Sequence, residues 1–169
     1  MNADVFWIPG PWRGRLAIAP RPRGGDWLDD EASAWRRAGI DVVVSLLEDQ
    51  EAAELDLDDE RQAAENQAIS FISFPIPDRG VPASPEAAIS VIGAIVAQLD
   101  AGKNVAVHCR QGIGRSGLVA SGVLISSGIK AHEAVQIVSS ARGISVPETT
   151  EQRRWIEELP SGVPVAKGT

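Results

Sequence analysis

The sequence has no tyrosine, and it contains a single cysteine and two histidines among its 169 residues. One cysteine excludes an intramolecular disulfide framework and any metal site that is built on a CxxC pair. The lone thiol, Cys109, is therefore either a small buried side chain or a nucleophile.

Long apolar runs and clustered basic residues are also missing. No stretch approaches the roughly 18 uninterrupted apolar residues of a membrane helix. The first residues, MNADVFWIPGPWRG, lack the basic and apolar regions of a signal peptide, so we expect a cytoplasmic protein without a membrane partner. A net charge of -7 argues against a nucleic-acid partner, although it leaves room for one local cationic pocket.

Short apolar runs alternate with helical patterns along the chain. Predicted strands cover residues 15–19, 41–47, 69–76 and 104–108, and predicted helices cover 26–38, parts of 48–67, 85–101, 115–127, 130–141 and 148–159. This order predicts an α/β fold with one domain over residues 1–160, whose central, mostly parallel sheet of about four to five strands is flanked by helices. We expect residues 161–169 to be a frayed tail. The acidic run within 48–67 is interpreted as an exposed helix face.

The segment HCRQGIGRSG, residues 108–117, contains two competing motifs. Gly112, Gly114 and Gly117 have the G-x-G-x-x-G spacing of a dinucleotide-binding turn. That fold requires a further strand that ends in an acidic residue about 20 positions on, whereas the chain after Gly117 is helical in pattern. A Walker loop is excluded because no G-x-x-x-x-G-K-[ST] string is present.

The second motif is a cysteine that is separated from an arginine by five residues. Cys109 comes directly after a predicted strand and faces a helix N-terminus, which stabilises a thiolate. The backbone amides between the cysteine and the arginine can form an anion-binding nest, contributed by Arg110, Gln111, Gly112, Ile113 and Gly114. Arg115 can bind two oxygens of a phosphate bidentately. The pattern predicts a loop that holds a phosphate above a thiolate.

Displacement by sulfur leaves an oxygen that needs a proton, so we looked for a carboxylic acid at the same sheet edge. Asp78, in PIPDRGVP, follows the third predicted strand, and the helix over 85–101 then leads to the strand that ends before Cys109. A right-handed crossover places both strand ends on one edge. Asp78 is the candidate acid, and Glu48 and Asp49 are the alternatives.

These residues resemble the cysteine-dependent protein tyrosine phosphatase superfamily, whose active-site loop reads His-Cys-x5-Arg-[Ser/Thr]. The placement of the aspartate in PIPDRGVP is similar to that of the dual-specificity branch. SARGISVPETTEQRRWIEEL, near the C-terminus, is similar to the segment after the active-site helices in several branches. The resemblance implies the phosphatase-like α/β fold and hydrolysis of phosphomonoesters through a phosphocysteine, with no metal or other cofactor.

The resemblance also implies a role for each matching residue. Cys109 would attack phosphorus, while Arg115 and the loop amides would bind the phosphoryl oxygens. Asp78 would protonate the leaving oxygen and then act as a base on water. Ser116 would donate a hydrogen bond to the departing thiolate, a role that is compatible with capping the helix. His108 would orient the loop.

Gln152 resembles the glutamine that positions the attacking water in some branches, but it is equally explained as an amide on a helix surface. The implied substrate is a phosphorylated protein or a small phosphomonoester. Loops that bind polyphosphoinositides tend to add lysines, whereas this loop offers Arg110 with Gln111 and Ile113. The alternatives are a phosphate-binding module without catalysis and a rhodanese-type sulfurtransferase, although the latter usually has a shorter loop. The sequence does not indicate an oligomeric state.

Overall fold

The computed structural model describes residues 3–160 and contains one five-stranded sheet in the order β1-β2-β5-β3-β4. The strands are short: β1 (Phe6–Ile8), β2 (Leu16–Ala19), β3 (Val42–Ser45), β4 (Ser70–Ser73) and β5 (Val105–His108). β1 pairs antiparallel with β2, and all the other pairs are parallel. β5 therefore lies in the middle of the sheet, and β1 and β4 form its edges.

Seven α-helices are present in the described residues: α1 (Leu28–Arg37), α2 (Asp49–Glu54), α3 (Glu60–Asn66), α4 (Pro85–Asp100), α5 (Gly114–Ser126), α6 (Ala131–Arg142) and α7 (Thr150–Glu157). A 3-10 turn (Gly25–Trp27) precedes α1. None of the helices within residues 3–160 has the length and apolar character needed to cross a bilayer.

The three inner strands are buried on both faces, which explains their nearly continuous apolar sequences. Alternate residues point into two separate cores. On one face Ile18, Val44 and Val107 pack in the core that includes residues from α4 to α7. On the other face Ala17, Val43 and Ala106 pack with α1 and α3. α5 is buried along nearly its whole length, which fixes its first turn against the carboxyl end of β5.

The predicted mostly parallel sheet with flanking helices is confirmed. The sequence analysis missed β1, because three residues are too few for a pattern of alternation to show. The strand predicted over 69–76 is shorter, since β4 ends at Ser73, although the backbone amides of Phe74 and Ile76 still donate to Ser45 O and Leu46 O. The predicted frayed tail, 161–169, lies outside the described residues.

Candidate active site

The chain between β5 and α5 forms a tight loop, here called the nucleophile loop (residues 109–113). Neighbouring segments bind one carbonyl just before the loop and one within it: Leu46 N–H donates to His108 O at 3.0 Å, and Arg21 N–H donates to Arg110 O at 3.1 Å. Gly112 has a φ of +73°, and a Cβ there would lie 2.7 Å from the carbonyl carbon of Ala19. Only glycine allows this conformation so close to the end of β2.

Arg142, at the end of α6, supports the same loop from outside. Its Nε donates to Gly112 O at 3.0 Å, and its Nη2 donates to Gln111 O at 3.1 Å. Because the carbonyls point outward to these donors, the amides of the loop can turn inward. The sequence analysis gave Arg142 no role, although it lies in the matched SARGIS segment.

The Cys109 thiol is 3% exposed and lies under the turned-in amides. Burial alone would raise its pKa. Hydrogen bonding by the Ser116 hydroxyl and by the amides of Ser116, Gly112 and Ile113 outweighs burial, so that the pKa of Cys109 is lowered. The thiolate that the sequence predicted is therefore favoured by this loop.

Ser116 lies in the first turn of α5, one residue after Arg115. Its Oγ is fully buried and has no oxygen or nitrogen partner within residues 3–160, so its hydroxyl hydrogen can bond the sulfur of Cys109. The suggested capping role was wrong, because α5 begins at Gly114 and its N-cap residue is Ile113.

Arg115 is 2% exposed, and its guanidinium contacts α2 and the chain that follows β4. Nη1 and Nη2 donate to Oε1 and Oε2 of Glu51, each at 2.8 Å. Nη1 also donates to Ile76 O at 3.0 Å, and Nη2 lies 3.1 Å from Oδ1 of Asp78. The arginine is held in a fixed plane before any ligand arrives.

Asp78 lies in the acid loop (residues 74–84), between β4 and α4. Its side chain is 55% exposed, yet it reaches the guanidinium of Arg115 at the nucleophile loop. The predicted meeting of Asp78 and Cys109 at one sheet edge is therefore observed. Both line a cavity of about 210 Å³, together with Arg79, Arg110, Gln111, Gly114, Arg115 and Glu148. Charged and polar groups dominate this lining, and it contains no aromatic side chain.

The remaining loop residues have distinct surroundings. Arg110 is 40% exposed and its Nε contacts Oε2 of Glu51 at 3.1 Å. Ile113 turns its side chain to the core. At Gly114 a Cβ would lie 2.8 Å from Oε1 of Glu148, so this glycine permits close approach without a positive φ. Gly117 faces Val146, whose Cβ would lie 2.9 Å from a Cβ added at this glycine.

His108 is completely buried and is hydrogen bonded at both ring nitrogens. Nδ1 lies 3.0 Å from Cys109 O, and Nε2 lies 2.5 Å from Oε2 of Glu60. Burial opposes protonation, but the Glu60 carboxylate and the Cys109 carbonyl together raise the pKa of His108 above its usual 6.5. His108 thus makes the predicted contact with the nucleophile loop, and the carboxylate of Glu60 binds the other nitrogen of its ring.

Gln152 is buried in the first turn of α7 and does not line the cavity. Its Oε1 accepts from the amides of Glu148 and Thr149, and its Nε2 donates to Gly80 O at 3.0 Å. The interpretation of Gln152 as a surface amide was wrong, because its side chain joins α7 to the acid loop.

Glu51 and Glu60 are the functional residues that the sequence analysis missed. The acidic run was interpreted as an exposed face, yet these two side chains are 7% and 3% exposed. Burial raises the pKa of a carboxyl group, but hydrogen bonds from Arg115 and Arg110 lower that of Glu51 to about 2. One signal was available: Glu51 is the N3 residue of a capping box that begins at Glu48, which fixes its position on α2.

Comparison with known proteins identifies the class. The structure of Tk-PTP in its active form is 31% identical with a TM-score of 0.74, over 94% of this chain and 99% of that one. The structure of kinase associated phosphatase gives a TM-score of 0.84 over 94% of both chains, and at 17% identity it shows the fold alone. A PTEN1 phosphatase from Arabidopsis thaliana is 41% identical over 61 residues, which are 32% of this chain and 14% of that protein.

These likenesses define a cysteine-dependent phosphatase of the protein tyrosine and dual-specificity type. The family model described as "Tc-R-P: Polymorphic toxin system, DSP-PTPase phosphatase" matches residues 19–129, which include β3, β4, β5 and the nucleophile loop. The chain belongs to this family.

Proposed function

We propose that this phosphatase hydrolyses phosphate esters on proteins, acting on aryl and alkyl phosphates alike. The observation that carries the proposal is the joint lining of one cavity by Cys109, Arg115 and Asp78. Because the lining is polar and lacks an aromatic side chain, recognition depends on the phosphate charge more than on an aromatic ring. This supports action on phosphoserine and phosphothreonine as well as on phosphotyrosine.

The first chemical step transfers the phosphoryl group to sulfur. The Cys109 thiolate attacks phosphorus, so that an S–P bond forms while the P–O bond to the alcohol breaks. Asp78 gives its proton to the leaving oxygen, which departs as a neutral alcohol. The guanidinium of Arg115 and the loop amides hold the three remaining oxygens as charge develops on them.

The second step regenerates the enzyme. Asp78, now a carboxylate, takes a proton from water while the water oxygen attacks phosphorus and the S–P bond breaks. The Ser116 hydroxyl donates a hydrogen bond to the departing thiolate, and inorganic phosphate leaves. Throughout both steps Glu51 holds the Arg115 fork in place through its two hydrogen bonds. A lone reduced thiol fits a reducing compartment, so we propose a cytoplasmic site of action.

Metal-free turnover of an aryl phosphate with EDTA present tests the proposal, for the wild type and for Cys109→Ser and Asp78→Asn. The wild type is expected to be active and Cys109→Ser inactive. A panel of phosphotyrosine, phosphoserine and phosphothreonine peptides then tests the substrate range. Rapid quench of the wild type with labelled substrate is expected to trap a phosphocysteine.

Two results would contradict the proposal in different ways. A protein that binds phosphate or vanadate but turns over no ester would be a binding module. A protein that is inert to esters but moves sulfur from thiosulfate to cyanide would be a sulfurtransferase. Hydrolysis of the phosphotyrosine peptides alone would overturn the proposed action on alkyl phosphates.

A further inference from the structure

The acid loop is tied to α7 by a buried amide. Nε2 of Gln152 donates to Gly80 O, two residues after Asp78, at 3.0 Å. The oxygen of the same amide accepts from the backbone N–H groups of Glu148 and Thr149, each at 3.1 Å. Gln152 is also the N3 residue of a capping box with Thr149, so the residue that binds the acid loop also fixes the first turn of α7.

A second contact joins the same two segments nearer to solvent. Nη1 of Arg79 lies 2.9 Å from Oε2 of Glu148, and both residues line the cavity. Arg79 has a φ of +62°, an uncommon conformation for a residue with a side chain. Because the ion pair is largely exposed, we expect it to contribute less than the buried Gln152 bond.

These contacts matter because Asp78 is on a segment without regular structure. The acid loop leaves β4, an edge strand, and runs to the start of α4. Ile76 is still bonded to Leu46 through its backbone, but Asp78 itself is more than half exposed. The links from Gly80 and Arg79 to α7 therefore restrain the loop just beyond the acid.

We propose that Gln152, assisted by Glu148, is a positioning residue that holds the acid loop closed so that Asp78 points at the leaving oxygen. The inference rests on the proposed role of Asp78 as the acid. It differs from a role for Gln152 in positioning water, because its oxygen accepts the amide hydrogens of the two residues before α7 and its nitrogen donates to the acid loop.

The variant Gln152→Glu removes the hydrogen bond to the acid loop and keeps the capping interaction with α7. A glutamate keeps an oxygen for the amides of Glu148 and Thr149, as capping boxes allow. It loses the donor to Gly80 O and sets a carboxylate oxygen against that carbonyl. α7 should stay folded while the acid loop is released. Glu148→Gln removes the outer ion pair, and Glu151→Gln, on an exposed neighbouring position of α7, is the matched control.

The measurement is kcat/KM for a series of aryl phosphates whose leaving phenols differ in acidity. A well-placed acid makes the rate nearly independent of the phenol, whereas a misplaced one slows the poor leaving groups selectively. General acid catalysis contributes about 10²–10⁴-fold, so Gln152→Glu is expected to lose about 10-fold or more on the poorest leaving group and little on the best. Glu148→Gln should change in the same direction by less, and Glu151→Gln should match the wild type.

The comparison with Asp78→Asn keeps the two proposals apart. If the rate of Asp78→Asn depends steeply on the leaving group and that of Gln152→Glu does not, the positioning role of Gln152 is wrong and the role of Asp78 as the acid is supported. If the rate of Asp78→Asn shows no such dependence, Asp78 is not the acid, and the proposed positioning role of Gln152 is wrong as well. A burst of phenol release in Gln152→Glu, with an unchanged rate of the first turnover, would mean that only the second step is slowed. That result would contradict the positioning of the acid loop and would support a role for Gln152 in positioning water.

Discussion

The guanidinium of Arg115 and the carboxylate of Glu51 face each other in a bidentate pair, with both N–O distances at 2.8 Å. The two residues lie 64 positions apart in the chain and are both buried. Since the fork of Arg115 is fixed by this pair, the site is prepared for the phosphoryl oxygens before they bind. Such preparation lowers the cost of ordering the site during catalysis.

The first prediction concerns this pair. Glu51→Gln removes the charge that balances a buried arginine and should destabilise the protein by about 3 kcal/mol at neutral pH. Hydrogen bonding with Arg115 lowers the pKa of Glu51 from 4.5 to about 2 despite burial, so the ionised form stabilises the fold. That contribution is complete above pH 4.5 and is lost as the pH falls towards 2.

Urea denaturation of both proteins across this pH range measures the difference. The difference should shrink steadily as the medium becomes more acidic, and kcat/KM of Glu51→Gln should fall because Arg115 is less well oriented. Glu54→Gln, on an exposed position of the same helix, is the control for the loss of an acidic charge. A difference that stays constant with pH would contradict the assigned pair.

The second prediction concerns the thiol. The Ser116 hydroxyl is the largest contribution that lowers the pKa of Cys109 against burial, so Ser116→Ala should raise that pKa. The rate of alkylation by iodoacetamide as a function of pH reports the fraction of thiolate. The alkylation curve of Ser116→Ala is expected to shift to higher pH, with slower breakdown of the phosphoenzyme. Ser121→Ala removes another buried hydroxyl of α5 that lacks a well-formed partner, and it should leave the curve unchanged.

The third prediction concerns the buried carboxylate behind His108. Burial lowers the pKa of His108, but the Glu60 carboxylate raises it by more, so the pKa lies above 6.5 in the folded protein. The charged imidazole therefore stabilises the fold fully below pH 6.5 and less as the pH rises. The ring also contacts the Cys109 carbonyl and stacks on Trp35, while Ala19 and Ser45 are the register partners of His108 on the two neighbouring strands. Glu60→Gln should therefore cost most stability at acidic pH.

Thermal denaturation of the wild type and of Glu60→Gln at several pH values tests this. The gap in melting temperature should be widest below pH 6.5 and should narrow in alkaline buffer. Glu65→Gln, at the exposed end of the same helix, supplies the comparison. A gap that widens with rising pH would mean that His108 is neutral in the fold.

The fourth prediction concerns the backbone of the nucleophile loop. Gly112→Ala places a Cβ 2.7 Å from the Ala19 carbonyl carbon at a φ of +73°, so the loop must deform. We expect loss of vanadate binding and of activity in a protein that is still folded. Gly128→Ala also places a side chain at a positive φ, but its Cβ has no neighbour within 4 Å. This variant should lose some stability and keep its activity. Equal activity losses in the two variants would exclude the steric explanation.

Cys109 and Asp78 were predictable because each follows a strand that the apolar pattern reveals, and Arg115 was predictable from its spacing to the cysteine. The topology of the crossover was enough to bring Asp78 to Cys109. Glu51 and Glu60 were not predictable from local charge, since the run that contains them has further acidic residues that stay in solvent. Which carboxylates turn inward depends on Arg115 and His108, more than 45 residues away in the chain.

Because β5 lies in the middle of the sheet and β4 at its edge, changes near the nucleophile and changes near the acid affect the fold differently. The nucleophile follows a strand with neighbours on both sides, whereas the acid follows a strand with a neighbour on one side only. Changes near the cysteine therefore disturb the whole core. Changes in the acid loop, by contrast, alter the position of Asp78 and leave the pairing of the strands in place.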